Sequence, residues 1–221
     1  HLVIRRQRQM CIRDSAIVTG MAFETWPQLL LDFKNGALKR NYDQSPQMNF
    51  SNLPSPRKDL LPKFSYISKN TIQATFGCPY KCDFCAVIST QKKYLRRPVE
   101  DVIKEISEMN GNFVTFIDPS PMEDKKYIKR LLREMIPLKK MWGGLATVKI
   151  GDDEELMDLC AESGCKGLLI GFESVEQDAL VEINKGFNVV EKYRNLCTRL
   201  HERGIATVSY THLRAHETVV Y

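Results

Sequence analysis

Three cysteines in one short loop carry the most informative chemistry of this sequence. Cys78, Cys82 and Cys85 follow each other with the spacing CxxxCxxC, and no fourth cysteine or histidine lies nearby. Iron–sulfur clusters are held by cysteine thiolates, usually four of them. Three thiolates leave one iron without a protein ligand, and an open metal position is where a substrate or cofactor binds and reacts. The loop therefore predicts a reactive iron–sulfur cluster.

Zinc and disulfide bonds are the other uses of such a trio. A structural zinc site closes with four ligands and commonly uses pairs of CxxC, but the sequence has no second CxxC. Disulfide bonds are disfavoured because the chain has an odd count of 7 cysteines and no visible secretory signal. A zinc-stapled binding domain therefore stays open as the alternative metal site.

The composition is that of an ordinary globular chain. Of 221 residues, 43% are hydrophobic and 27% are charged, which is the usual balance for folded domains. The formal net charge of +5 is uneven, because four arginines lie within residues 1–15 against Asp14. The remainder is close to neutral, so the charge favours no nucleic-acid partner. No apolar run reaches the roughly 20 residues that a membrane-spanning helix needs.

Both ends are predicted to be foreign to the fold. Residues 1–15 and 208–221 show neither a helical nor a strand period, and both resemble translated sequencing adapters. The first stretch is rich in arginine, so a basic targeting arm is the alternative there. We exclude both ends from the fold, and we exclude Cys11, His212 and His216 with them as metal ligands.

Between these ends, strands alternate with helices. Apolar runs predict strands at Thr71–Phe76, Phe113–Ile117, Leu145–Ile150, Lys166–Phe172 and Ile205–Ser209. Amphipathic helices separate them, as in the helix that begins after Pro98. This alternation is typical of βαβ units, and it predicts an α/β fold with a partial (β/α) TIM-like barrel. In such barrels the chemistry lies at the C-terminal ends of the strands, and the cysteine loop follows the first strand.

The cysteine spacing, with the aromatic Phe84 directly before the last cysteine, resembles the signature of the radical S-adenosylmethionine (radical SAM) enzymes. The resemblance implies a [4Fe–4S] cluster whose open iron chelates the amino and carboxylate groups of S-adenosylmethionine. An electron from the cluster would then cleave S-adenosylmethionine to a 5′-deoxyadenosyl radical, which abstracts hydrogen from an unactivated carbon. The alternative within iron–sulfur proteins is an electron-transfer module without turnover.

The resemblance also implies cofactor contacts for three further residues. Phe84 would lie beside the adenine. Asp118 ends the second strand, where related families place an acidic segment that meets the amino end of S-adenosylmethionine, although this sequence has no GGE there. Glu173 follows the fourth strand, where a carboxylate can accept both ribose hydroxyls. The stretch Asn184-Lys185-Gly186, shortly after, completes the similarity to that ribose-binding segment.

Further stretches, such as Glu24-Thr25-Trp26-Pro27, resemble the cobalamin-dependent branch of these enzymes. Its members act in bacteriochlorophyll ring formation, hopanoid tailoring and C-methylation, and a Rossmann-like cobalamin domain precedes their barrel. The resemblance implies that residues 16–40 are the C-terminal remnant of that domain, residues 41–62 a proline-rich linker, and residues 63–207 a radical SAM core truncated after about five of its six βα units. The cobalamin-binding loops would lie upstream.

The expected partners follow from this chemistry. They are a small-molecule substrate and an electron donor such as flavodoxin or ferredoxin, with no nucleic acid and no membrane span. A cluster held by reduced thiolates favours a cytoplasmic, anaerobic setting.

Overall fold

The structure is a computed structural model that describes residues 16–44, 50–51, 53–62, 68–87 and 93–209. The ends that we predict to be foreign, apart from residues 208–209, lie outside these ranges. The chain divides into two compact units, His1–Leu53 and Pro54–Tyr221. None of the described helices is long and apolar enough to cross a membrane.

The first unit contains a β-α-β arrangement. Strand β1 (Ile17–Thr19) pairs in parallel with β2 (Asn41–Asp43), and helix α1 (Thr25–Lys34) lies between them in sequence. Strand β2 lies within residues 41–62, the stretch that the resemblance assigns to a proline-rich linker. This strand is short, and its central residue Tyr42 is held by a hydrogen bond of 2.9 Å from its hydroxyl to Asp32 of α1.

The second unit is built on a parallel sheet of five strands. The strand order is β3 (Thr71–Ile72), β6 (Phe113–Phe116), β7 (Met141–Ala146), β8 (Cys165–Ile170) and β9 (Ala206–Val208). The connecting helices are α2 (Val99–Glu108), α3 (Lys125–Met135), α4 (Glu154–Glu162), α5 (Gln177–Glu182) and α6 (Tyr193–Glu202). Neighbouring strands follow chain order with helices between them, which confirms the predicted partial (β/α) barrel.

Successive side chains of each strand point to opposite faces of the sheet. One of these faces is buried and the other is more open. Phe116, Trp142 and Leu168 lie on the buried face and are almost inaccessible to solvent. They pack in one hydrophobic cluster with the apolar stripes of the helices, such as Ile106, Ile128, Leu132, Leu156 and Leu200. The indole of Trp142 donates a hydrogen bond of 3.0 Å to the Ser163 hydroxyl, which satisfies its polar group in the core.

The first predicted strand is interrupted. Instead of one strand over Thr71–Phe76, the structure has β3 in the sheet and β4 (Thr75–Phe76) in a separate antiparallel pair with β5 (Leu95–Arg96). The Asp118 carboxylate accepts hydrogen bonds from the backbone N–H groups of Ala74 and Thr75, the first at 2.9 Å. These donors are therefore satisfied without a neighbour in the parallel sheet, and the chain leaves that sheet at this point.

The third strand lies earlier than predicted. Residues Leu145–Ile150 were expected to form it, but β7 covers Met141–Ala146 and a 3₁₀ turn follows over Val148–Asp152. Gly143 and Gly144 interrupt the run of large apolar residues from which this strand would be predicted. A Cβ on Gly144 would lie 3.0 Å from the Phe116 Cβ, so close packing against β6 favours a residue without a side chain there.

A buried charged network surrounds Glu105 of this unit. The Lys58 ammonium lies 2.9 Å from one Glu105 oxygen and donates to the Thr71 carbonyl at 2.6 Å. Arg97 lies 2.9 Å from the other Glu105 oxygen and donates to the Gln73 carbonyl at 3.0 Å. Buried charges need such partners, so the network positions the residues that lead into β4.

Two glycines that follow helix ends differ in how closely the backbone packs around them. Gly164 has φ of +95°, and a Cβ there would lie 2.2 Å from the Lys140 carbonyl oxygen. We expect Gly164→Ala to lower the free energy of unfolding by about 3 kcal/mol or more, since left-handed strain of about 1–2 kcal/mol adds to a backbone clash. Urea denaturation measures the change.

Gly204→Ala is the matched control. Gly204 follows α6 with φ of +72°, but no atom lies within 4 Å of its would-be Cβ. Only the left-handed strain applies, so we expect a loss of about 1 kcal/mol. Equal losses for the two variants would contradict the clash at Gly164.

Candidate functional site

The cysteine loop begins directly after β4. Gly77 turns the chain with φ of +77°, which is a conformation that side chains disfavour. Cys82 is buried, whereas Cys78 and Cys85 are half-buried. The Cys85 N–H donates to the Cys82 carbonyl at 3.1 Å, which closes a turn between the last two cysteines. One loop thus presents the three predicted ligands.

The three thiols influence each other electrostatically. Burial raises the pKa of the Cys82 thiol above its ordinary value, and the neighbouring Cys78 and Cys85 act in the same direction. The Lys185 cation opposes them and lowers that pKa, while Glu173 raises it. The predicted metal ligands therefore share their surroundings with one acidic and one basic side chain from a distant part of the sequence.

Three thiols on one loop are a donor set of the kind that holds an iron–sulfur cluster. In the described part of the chain, no three Cys, His, Asp or Glu side chains gather around a common point as they would around one metal ion. A structural zinc ion needs four such ligands on one centre. In an iron–sulfur cluster each thiolate binds its own iron, so the sulfurs can be spread more widely. Cys160 and Cys165 are buried in the hydrophobic cluster instead.

A second segment, residues 183–188, holds the cysteine loop from the side. The Asp83 N–H donates to the Ile183 carbonyl at 3.2 Å, and the Asn184 side chain donates to the Lys81 carbonyl at 2.9 Å. The Asn188 side chain donates to the Gly171 carbonyl at 2.9 Å. We call residues 183–188 the clip, because it connects the cysteine loop to the end of β8.

Phe84, Glu173 and Lys185 come together beside this loop. The Lys185 ammonium lies 2.7 Å from a Glu173 carboxylate oxygen and 5.7 Å from the centroid of the Phe84 ring. Phe84 is 48% exposed, so one part of its ring is open to a ligand. A Cβ on Gly171 would lie 2.5 Å from the Glu173 oxygen and 2.8 Å from the Lys185 nitrogen. The absence of a side chain at Gly171 therefore leaves room for the ion pair.

Asp118 occupies a different position from these residues. Its carboxylate is fully buried at the end of β6, and its Oδ1 also accepts from the Thr75 hydroxyl at 2.7 Å. Its Oδ2 has no hydrogen-bond partner among the described residues. Burial raises the pKa of Asp118 to about 6, although the hydrogen bonds from Thr75 and Ala74 act against this rise. The structure gives Asp118 a role in holding the backbone, and its contact with a cofactor stays a prediction.

The structure adds residues to which the sequence assigned no role. The Tyr80 ring of the cysteine loop stacks on Phe187 of the clip, with 4.3 Å between centroids, and the Lys149 ammonium lies 4.8 Å from the Tyr80 centroid. Glu123 accepts hydrogen bonds from the Tyr80, Ser120 and Thr147 hydroxyls. For Lys185 the segment Asn184-Lys185-Gly186 was a signal, whereas Glu123 lies in no recognisable motif.

The family model of the radical SAM superfamily matches residues 72–218, from β3 through the cysteine loop and beyond β9. The chain belongs to the radical SAM superfamily. It is therefore part of a family of enzymes, and the family's cofactors are a [4Fe–4S] cluster and S-adenosylmethionine. The match confirms the membership of the radical SAM superfamily that the cysteine spacing predicts.

Curated relatives include methyltransferases. Bacteriochlorophyllide d C-12(1)-methyltransferase of Chlorobaculum tepidum is 28% identical over 89% of this chain and 45% of its own length. The hopanoid C-2 methylase of Rhodopseudomonas palustris is 25% identical over 74% of this chain and 33% of its own length. The chain thus spans less than half the length of these relatives.

Solved structures share the fold. The cobalamin-dependent S-adenosylmethionine radical enzyme OxsB, with aqua-cobalamin bound, superposes with a TM-score of 0.74 at 16% identity, over 92% of this chain and 34% of that chain. The radical S-adenosylmethionine methyltransferase TsrM from Kitasatospora setae, with cobalamin and a [4Fe–4S] cluster bound, gives a TM-score of 0.57 at 21% identity, over 64% and 28% of the two chains. At this identity the likeness concerns the fold.

The buried Asp118 predicts a pH dependence of stability. Its pKa of about 6 in the folded chain lies above the unfolded value of about 4, so the folded state favours the protonated form. The free energy of unfolding should therefore fall as the pH rises from about 4 to 6 and stay level above that. Asp118 should contribute a fall of about 2–3 kcal/mol.

Asp118→Asn isolates this effect, because the amide has nearly the same shape and does not titrate in this range. Urea denaturation of both proteins at pH 4 and pH 7 gives the stability difference between them. We expect that difference to shift by about 2–3 kcal/mol in favour of the variant at pH 7. A difference that is the same at both values would contradict a titrating Asp118.

Proposed function

We propose that this chain is the core of a cobalamin-dependent radical SAM enzyme that activates a C–H bond of a small-molecule substrate, with methyl transfer or rearrangement following in the full-length protein. The observation that carries the proposal is the meeting of Phe84, Glu173 and Lys185 beside three cysteines of one loop. The loop lies where parallel β/α barrels place their chemistry, after the first strand.

Cys78, Cys82 and Cys85 would hold the cluster and leave one iron for the amino and carboxylate groups of S-adenosylmethionine. When bound, these cofactors supply the electron and the 5′-deoxyadenosyl radical for hydrogen abstraction. The protein would position these cofactors and exclude competing reactions. The clip is joined to the loop by the hydrogen bonds from Asp83 to Ile183 and from Asn184 to Lys81.

Phe84 and Glu173 would bind the nucleoside part of S-adenosylmethionine. The half-exposed Phe84 ring offers an apolar surface for the adenine. One Glu173 oxygen is engaged by Lys185 at 2.7 Å, which leaves the other oxygen to accept hydrogen bonds from the ribose hydroxyls. Asp118 would act indirectly, since its hydrogen bonds to Ala74 and Thr75 direct the chain into the loop.

Cobalamin would be bound mainly by the domain of which residues 16–40 are the C-terminal part. The similarity to methyltransferases that act on bacteriochlorophyllide and hopanoid supports this branch of the superfamily. Cluster reduction needs an electron donor, for which flavodoxin or ferredoxin is suited. We place the enzyme in the cytoplasm, because the loop thiols must stay reduced to bind iron.

Cluster binding is tested by anaerobic reconstitution and EPR of the reduced protein. The chain should take up about four iron atoms, and its [4Fe–4S] signal should change when S-adenosylmethionine is added. Cys82→Ala should lose the signal because it removes one of three ligands. Cys197→Ala, on a half-buried thiol of α6, should keep it. A signal retained in Cys82→Ala, or lost equally in both variants, would reject the proposed ligands.

The role of Glu173 is tested by the affinity for S-adenosylmethionine. Glu173→Gln keeps the size of the side chain but removes its charge, so charge-assisted hydrogen bonds to the ribose weaken. We expect the Kd to rise about tenfold or more, which corresponds to about 1.4 kcal/mol. Glu176→Gln is the control, because Glu176 is exposed and lies three residues further along. Equal affinities of the two variants would remove Glu173 from the binding site.

A further inference from the structure

Lys185 is a buried cation whose position is fixed by the backbone. It is only 8% exposed, which is rare for lysine unless it is paired. Its N–H donates to the Leu180 carbonyl at 2.8 Å, and its carbonyl accepts from the Asn188 N–H at 3.0 Å. The preceding Asn184 has a left-handed φ of +58° and binds the cysteine loop through its side chain. The stem of Lys185 therefore starts from a held segment.

The ammonium group of Lys185 lies near two side chains. It pairs with Glu173 at 2.7 Å and lies 5.7 Å from the Phe84 centroid. Phe84 stands between two predicted ligands in the sequence, so the cation is held close to the cluster loop. The neighbouring Asn184 side chain donates to the Lys81 carbonyl of the same loop at 2.9 Å. The cation thus lies beside the loop as well as beside Glu173.

A cluster on the loop would carry negative charge close to the Lys185 cation. Each thiolate brings one negative charge, and reduction of the cluster adds another. A fixed cation in a buried setting stabilises the reduced state more than the oxidised state, because the interaction grows with the charge of the cluster. Hydrogen bonds, net charge and solvent exposure are the known determinants of such potentials.

We propose that Lys185 is a positioning residue that sets the reduction potential of the cluster and orients Glu173. The proposal rests on the proposed function, since it requires the cluster to be bound by Cys78, Cys82 and Cys85. Lys185 offsets the negative charge added by the single electron that reduces the cluster. Glu173 opposes this effect in part, so the potential depends on the balance within the ion pair.

The test removes the two charges one after the other. Glu173→Gln leaves Lys185 unopposed, so the midpoint potential, measured by an EPR-monitored redox titration, should rise above that of the wild-type chain. Adding Lys185→Met in this background removes only the cation and leaves no unpaired carboxylate. The potential should then fall by about 59 mV, which is a tenfold change in the equilibrium constant for a one-electron couple.

The conservative change separates charge from structure. Glu173→Gln with Lys185→Arg keeps the cation and should keep the higher potential. Equal potentials with methionine and with arginine at this position would overturn the proposal, and so would loss of the cluster in both. Loss of the cluster with methionine alone would also overturn it, because Lys185 would then be needed for cluster binding rather than for the potential. If the wild-type chain itself binds no cluster, the proposed function fails instead.

Discussion

The hydrogen bonds to one oxygen of Asp118 are the constraint on which the site depends. A buried carboxylate is costly unless it accepts hydrogen bonds, and Asp118 accepts them from Ala74 and Thr75, where the chain passes from β3 to β4. The same bonds take the chain out of the parallel sheet, so that β4 can pair with β5 and Gly77 can start the cysteine loop. The direction of the loop thus follows from a side chain of the neighbouring strand.

The clip is the second element on which the site depends. Its contacts to Lys81, Asp83 and Gly171 connect the loop to the end of β8, and it carries Lys185 toward Glu173. The cysteine loop contributes Phe84, and the connection after β8 contributes the Glu173–Lys185 ion pair that Gly171 leaves room for. The Lys185 ammonium lies 5.7 Å from the centroid of the Phe84 ring. Two distant parts of the sequence therefore contribute one cradle.

Some of these features can be predicted from the sequence and others cannot. The cysteine spacing is local, and strands such as β6 and β8 contain enough large apolar residues to be predicted from the pattern. Strand β7 contains two glycines that pack closely against neighbours, so its position cannot be predicted from apolar residues. The break at Ala74 depends on Asp118, 44 residues away. The partner of Lys185 is likewise defined only once β8 and the clip lie beside each other.

The hydrogen bond from Asn184 to Lys81 spans 103 residues of the chain. During synthesis the three thiols emerge well before the segment that covers them, since proteins leave the ribosome from the N-terminus. Until the clip is made and β8 is in place, the cysteine loop is open along one side. The loop therefore acquires this contact only after β6, β7 and β8, which lie between the two residues in the sequence, have been made.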